Sequence, residues 1–289
     1  MKILVTGARG MLGRYLVGML TNLSTAGNLG LEITATDREQ LDITHPQETS
    51  RFIGDCKPEV VVNCAAFTNV DACETQISDA FAVNASGAKS VAMAGKQIGA
   101  KIVHISTDYV FDGAKMDSYS ETDKPNPLSV YGKSKLEGEL AIQEIADNYA
   151  ILRTAWLFGP YRRNFVTAIL ERGKKNREVS VVTDQYGSPT YTADLSQAVW
   201  NVISQDVRGL YHFTNTGRCS RYDWAKKIFE LTGEQVSVLP VKTADYKRAA
   251  IVPQNSALNC AKYRLATGHK IRHWQEVLEE YLQKTLLLN

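Results

Sequence analysis

The chain has 289 residues and a formal net charge of +2, long enough to bury one large core or two smaller ones. So balanced a charge leaves no basic footprint for nucleic acid or an anionic membrane surface, and no run approaches the ~18 apolar residues needed to span a bilayer. The five cysteines, Cys56, Cys64, Cys73, Cys219 and Cys260, are odd in number, scattered and free of any Cys-x-x-Cys pair. That argues against a disulfide framework or a zinc site and for a reducing compartment. The opening apolar run is far shorter than a signal peptide's, so a cytoplasmic protein without a bound metal is expected.

Lys2-Ile3-Leu4-Val5-Thr6 reads as a strand buried on both faces of a parallel sheet. Gly7-Ala8-Arg9-Gly10-Met11-Leu12-Gly13 follows directly and opens a helix predicted over residues 11–23. Gly7 and Gly10 let the backbone turn sharply and approach a pyrophosphate at the positive helix end, and Gly13 lets the helix sit close to the strand. A Gly/Ser/Asn-rich loop is expected over residues 22–30. A second strand over residues 31–36 then ends at Asp37-Arg38. The acid suits the hydroxyls of an adenosine ribose and the arginine a 2′-phosphate, so NADH and NADPH both stay open.

Residues 46–56 read as a helix. Val60-Val61-Val62-Asn63-Cys64-Ala65-Ala66 is the next buried strand, its small end residues leaving room for a cofactor across the strand tips. A crossover helix is expected over residues 78–97, and a fourth strand over residues 102–106 delivers Ser106 and Thr107 to the same sheet edge. Strand and helix alternate throughout, which predicts a doubly wound parallel α/β sheet of the Rossmann type with its ligands at the carboxyl ends of the strands. After a polar loop over residues 111–127, a helix carries Tyr131 and Lys135, four apart and on one face. An ammonium beside a phenol favours the phenolate and lowers the tyrosine pKa. A Ser106 or Thr107 hydroxyl could then hold a carbonyl while Tyr131 exchanges its proton, a site for reducing a ketone or oxidising an alcohol.

A strand over residues 149–153 follows, then a helix over 164–174, a strand over 179–182, a loop over 184–190 and a helix over 192–205. Further on come a strand over 210–213, helices near 221–232 and 272–282, and a long loop over 242–259. The division expected is a cofactor-binding domain over residues 1–155 that carries the catalytic residues, and a smaller α/β substrate lobe over residues 156–289, partly interleaved with it.

The glycine motif, the stretches Ser106-Thr107-Asp108-Tyr109-Val110-Phe111-Asp112-Gly113 and Val130-Tyr131-Gly132-Lys133-Ser134-Lys135, and the loop Asp184-Gln185-Tyr186-Gly187-Ser188-Pro189-Thr190 together resemble the extended short-chain dehydrogenase/reductase family. Within it, the chain is similar to the dTDP-4-dehydrorhamnose reductases over nearly its whole length. The resemblance implies that Tyr131 donates a proton to the C4 carbonyl of a dTDP-linked 4-keto-6-deoxy sugar, that Lys135 binds the nicotinamide ribose, and that Thr107 holds the carbonyl oxygen. It implies a cofactor site of Gly7, Arg9, Gly10, Met11, Leu12, Asp37, Arg38, Asp42, Ile43, Cys64, Ala65, Ala66, Asn84, Tyr131 and Lys135, with Asn84 supporting the lysine. Substrate contacts would fall to Thr107, Asp108, Tyr131, Trp156 and Asn164, and a homodimer is a further expectation.

Two departures stand out. The family usually carries Arg-Pro-x-Asn-Ser where this chain has Val252-Pro253-Gln254-Asn255-Ser256, leaving Lys247 or Arg248 to supply the missing charge. The first helix offers Arg14 and Tyr15 where some members place an acid that helps to hold magnesium. Two other readings share the fold. A sugar-nucleotide dehydratase usually reads Thr-Asp-Glu, whereas this chain has Thr107-Asp108-Tyr109 and lacks that carboxylate partner of the elimination, which favours a simple reductase. A non-catalytic regulatory subunit of the methionine adenosyltransferase type would bind a dinucleotide and a protein partner without turnover.

Overall fold

The structure, a computed structural model, describes residues 1–27 and 29–286. The chain opens with β1 (Lys2–Thr6), α1 (Met11–Ala26), β2 (Glu32–Thr36), α2 (Pro46–Cys56) and β3 (Val60–Asn63). Short helices α3 (Val70–Thr75) and α4 (Ile77–Phe81) and a π-helical turn (Ala82–Gly87) lead into α5 (Ala88–Gln97). Then come β4 (Lys101–Thr107), α6 (Val130–Ile145) and β5 (Tyr149–Thr154). The remainder holds β6 (Leu157–Phe158), α7 (Phe165–Asn176), β7 (Glu178–Val182), β8 (Tyr186–Gly187), β9 (Thr190–Tyr191) and α8 (Thr192–Ser204). It ends with β10 (Gly209–His212), β11 (Cys219–Ser220), α9 (Arg221–Thr232), β12 (Ser237–Val241), α10 (Ala261–Thr267) and α11 (Trp274–Leu286).

Six strands form one sheet in the order β2-β1-β3-β4-β5-β10, every neighbouring pair parallel. The apolar runs of β1, β3 and β4 are buried on both faces, as a doubly wound sheet requires. One face is covered by α1 and α8, whose Leu12, Leu16, Leu195 and Val199 join a single core. The other is covered by α2, α5 and α6 through Ile53, Val91 and Ile142. A third core, with Phe158, Ile169, Trp224, Phe229 and Leu278, fills the lobe built from α7, α9 and α11 around the parallel pair β7 and β12. From β1 the chain goes first to β2 on one side and then to β3 on the other. The gap between β1 and β3 is therefore the switch point, where ligands of such sheets bind.

Several boundaries differ from the sequence reading. The loop expected over residues 22–30 is helical as far as Ala26, and Ser24 ties that end down by exchanging hydrogen bonds with the Leu31 backbone. The crossover helix expected over residues 78–97 contains the π-helical turn, which carries Asn84. The division at residue 155 is crossed, because α8 and β10 complete the first domain's layers. The lobe instead takes β12, a half-exposed strand with Pro240 on the edge beside β7, which alternation alone did not single out.

Candidate active site

The turn after β1 is shaped by close approach. Gly7 sits at φ +67°, and a Cβ there would fall 2.7 Å from the Ala65 backbone, so this position admits only glycine between the ends of β1 and β3. A Cβ on Gly13 would fall 2.3 Å from the Gly7 carbonyl oxygen, so Gly13 seats α1 directly on the turn. The N-cap of α1 is Gly10, which has no capping side chain, and the first turn holds no acid. Its N–H groups and positive end are thus left for an anion, which fits a dinucleotide pyrophosphate.

A groove of about 540 Å³ runs from this turn across the tips of β1, β2 and β3, lined by Gly7, Arg9, Gly10, Asp37, Arg38, Asp42, Ile43, Cys64, Ala65 and Ala66 among others. At its far end Arg9 Nε lies 2.5 Å from Asp37 Oδ2, and Arg38 Nε donates to Asp42 at 3.0 Å. Acid and base therefore occupy the ribose end together. Gly10, Cys64 and Ala66 also line a second cavity of about 420 Å³, where Met11, Leu12, Thr107, Asp108, Tyr131, Lys135 and Trp156 converge.

Helix α6 begins behind Ser129, whose hydroxyl accepts from the Gly132 N–H. A Cβ on Gly132 would meet the Tyr109 carbonyl at 2.2 Å, so this glycine lets the first turn of α6 press against the end of β4 and brings Tyr131 to Thr107. Thr107 Oγ1 donates to Asp108 and accepts from the Tyr109 N–H. Ser106, the other hydroxyl considered, is turned into a buried network with Glu139, which Arg153 grips with both Nε and Nη2. Thr107 alone remains for a carbonyl.

The electrostatics correct the sequence reading at Tyr131. Burial raises its pKa above that of a free phenol, and the Thr107 hydroxyl only tempers the rise. Lys135 is pushed down to about 8 by the same burial. Its Nζ points to the Ile105 carbonyl at 2.7 Å and to His104 Nε2 at 3.0 Å, and burial, rather than the phenolate–ammonium pairing that the four-residue spacing suggested, governs both groups. Asp108, 3% exposed, is raised to about 6 by burial, and its Oδ2 makes no hydrogen bond.

Residues 1–287 match the family model described as the RmlD substrate binding domain. A dTDP-4-dehydrorhamnose reductase from Clostridium acetobutylicum ATCC 824 is 44% identical and superposes with a TM-score of 0.95 over 99% of this chain and 100% of that one. The chain belongs to the RmlD family. A Bacillus anthracis str. Ames dTDP-4-dehydrorhamnose reductase, solved in complex with NADP, is 38% identical with a TM-score of 0.93 over 98% of this chain and 99% of that one. The spore coat polysaccharide biosynthesis protein SpsK of Bacillus subtilis (strain 168) is 40% identical over 283 residues, 98% of this chain and 97% of that one. As an RmlD-family member, the protein is an oxidoreductase of the dTDP-4-dehydrorhamnose reductase kind, with the extended short-chain fold expected from its motifs.

In this RmlD-family chain the cavity of Thr107 and Tyr131 shares Trp156, Leu157 and Arg221 with a third cavity of about 390 Å³ in the lobe. Trp156 adopts φ +48° and stacks on Trp224, with the Arg221 guanidinium 3.5 Å above its ring. Gly187 of the Asp-Gln-Tyr-Gly loop makes room for that indole, since a Cβ there would fall 2.5 Å from it. Arg172 and Arg248 face the same cavity, and Arg248 is held by both oxygens of Asp71. Sequence reasoning named Arg248 but missed Arg172 and Arg221. They sit on α7 and α9 with no local motif, and only the folded lobe brings them to one wall. Val252, at the place of the family's arginine, is buried.

Two expected site residues have structural duties instead. Asn164 caps α7, its Oδ1 accepting from the Val166 and Thr167 N–H groups and its Nδ2 donating to the Gly159 carbonyl. It lines neither cavity of the site. Asn84 is held by both backbone groups of Phe67 and by Ser134. It fixes the segment after β3 rather than touching Lys135. Where the family departure was noted on α1, Arg14 stacks on Tyr161 and Tyr15 meets Tyr191 edge-on. Among the described residues no helix is long and apolar enough to cross a membrane.

Proposed function

We propose that this protein reduces the C4 ketone of a dTDP-linked 4-keto-6-deoxy hexose, converting dTDP-4-dehydro-L-rhamnose to dTDP-L-rhamnose with NADPH or NADH. The observation that carries the reading is the convergence of Thr107 and Tyr131 at a cavity that borders both the dinucleotide groove and, through Trp156 and Arg221, the arginine-lined lobe. A reduced nicotinamide, when bound, supplies the hydride for C4. Thr107 and Tyr131 hold the ketone oxygen, and the Tyr131 O–H bond breaks as the new O–H bond on the sugar forms. Arg172, Arg221 and Arg248 supply positive charge for a diphosphate, while the Trp156 indole, held under Arg221, forms part of the sugar's wall.

Absorbance of the reduced nicotinamide tests this, with dTDP-4-keto-6-deoxyglucose, a 3,5-epimerase, and NADPH or NADH supplied separately. Oxidation that depends on this protein is expected, and the two cofactors rank themselves in the same assay. Cofactor binding without oxidation would instead point to another nucleotide-linked keto sugar, or to a non-catalytic subunit that copurifies with a synthetase.

A further inference from the structure

Arg248 stands on the long stretch between β12 and α10, where no helix or strand covers residues 246–253. Both ends of that stretch are tied elsewhere: the Thr243 N–H and hydroxyl donate to Asp184, and the Gln254 carbonyl accepts from the Tyr186 N–H. Between them the chain meets Asp71, on the first turn of α3, whose start is fixed by the Asn69 side chain accepting from the Ala72 N–H. Asp71 Oδ1 accepts from Arg248 Nε at 3.1 Å and from the Ala250 N–H at 3.0 Å, and Oδ2 accepts from Arg248 Nη2 at 3.2 Å. One carboxylate thus gathers a side chain and a backbone group two residues apart.

The clasp takes the Nε edge of the guanidinium and leaves Nη1 outside it. That matters at this wall, because Arg172, Arg221 and Arg248 all face the lobe cavity. Burial lowers the Arg221 pKa and the Arg248 charge lowers it further, so these two guanidiniums repel. A long, flexible side chain repelled by its neighbour turns out to solvent unless a partner holds it, and Asp71 is that partner. Val252, four residues on, is buried and brings no charge that could take the place of Arg248.

We infer that Asp71 is a positioning residue for the sugar-nucleotide site: from α3 it holds Arg248 at the wall of the lobe cavity, so that Nη1 meets the diphosphate of the substrate while the carboxylate stays behind the arginine. The role rests on the reading of that cavity as the seat of a dTDP-sugar's diphosphate. Charge alone would give an effect of the opposite sign. Asp71 is an acid beside an anion site, so its removal would tighten an anion electrostatically, whereas removal of a positioning residue loosens the anion because Arg248 leaves the wall.

Calorimetric titration of the full chain with dTDP, without cofactor, is the test. Asp71→Ala should raise the dTDP dissociation constant about tenfold, Asp71→Glu should recover part of the loss, and Arg248→Met should lose as much as Asp71→Ala. In the double variant the losses should not add, since the acid acts only through the arginine. In turnover the same change should appear in KM for the sugar nucleotide, with kcat and the cofactor dissociation constant unmoved. Unchanged or tighter dTDP binding in Asp71→Ala, or additive losses in the double variant, overturns the role and leaves the reductase reading standing. Failure of the wild type to bind dTDP overturns the diphosphate reading and the role with it. Should Asp71→Ala not fold, Asp71→Asn carries the same comparison, because it keeps an acceptor for the Ala250 N–H and gives up the charge.

Discussion

The dinucleotide groove and the lobe cavity each border the cavity that holds Thr107 and Tyr131, yet they are built in opposite ways. The groove is made of backbone: the positive φ of Gly7, the bare N-cap at Gly10, the seating of Gly13, and the small residues Cys64, Ala65 and Ala66 at a strand tip. The lobe cavity is made of long side chains fetched from far apart, such as Arg248 clasped by Asp71 across 177 positions and Arg221 laid over Trp156. A pyrophosphate is a constant ligand that helix N–H groups recognise without side chains. A particular sugar nucleotide needs shaped, charged walls. The two halves should therefore fail separately.

The largest effect belongs at their junction. Tyr131→Phe removes the transferable proton and little else, so kcat should fall by about 10²–10⁴-fold while cofactor affinity, measured by fluorescence titration, stays close to wild type. Retained activity would remove Tyr131 from the chemistry. Next comes the groove: Gly7→Val places a branched Cβ against the Ala65 backbone at a φ that L-residues rarely adopt. It should cost about 2–4 kcal/mol in denaturant unfolding and abolish cofactor binding with it. On the lobe side, Arg221→Ala strips the guanidinium from the indole and from the shared wall. KM for the sugar nucleotide should rise about 10–100-fold, a loss of ~1.5–3 kcal/mol, with the cofactor dissociation constant unchanged. An equal loss of cofactor affinity would show that the two halves are not independent.

This contrast also explains what the sequence revealed. Gly7, Gly10 and Gly13 are read from spacing because a strand, a tight turn and a helix start are local events, and the alternation of buried strands with helices gives the parallel sheet directly. Tyr131 and Lys135 are visible for the same reason, one helical turn apart. Their protonation was misread, since burial depends on the segments packed around them and not on the interval between them. Asn164 and Asn84 look like site residues in the linear chain, but a helix start and a returning loop claim their hydrogen bonds. Arg172 and Arg221 carry no local mark at all. The interleaving expected of the two parts could not be placed from sequence: β10 joins the first sheet because β5 offers it an edge, a fact of the folded molecule.

Asp108 gives the smallest and most diagnostic effect, because it lies between the two halves and is paired fully with neither. Its carboxylate is buried, its Oδ2 has no hydrogen bond, and its pKa is raised to about 6. An acid raised on folding costs stability at every pH above the folded value. The cost shrinks as the pH falls from about 6 towards the unfolded value of ~4 and is absent below it. Asp108→Asn should therefore stabilise the protein by about 2 kcal/mol at pH 7.5 and hardly at all at pH 3.5, with denaturant unfolding at the two pH values as the check. Turnover should fall in the same variant, because the Thr107 hydroxyl loses its carboxylate partner. A gain of equal size at both pH values would mean that packing, not the buried charge, is what the wild-type aspartate disturbs. A gain confined to neutral pH and coupled to lost activity would identify Asp108 as the point where the fold gives up stability to keep a proton acceptor beside Thr107.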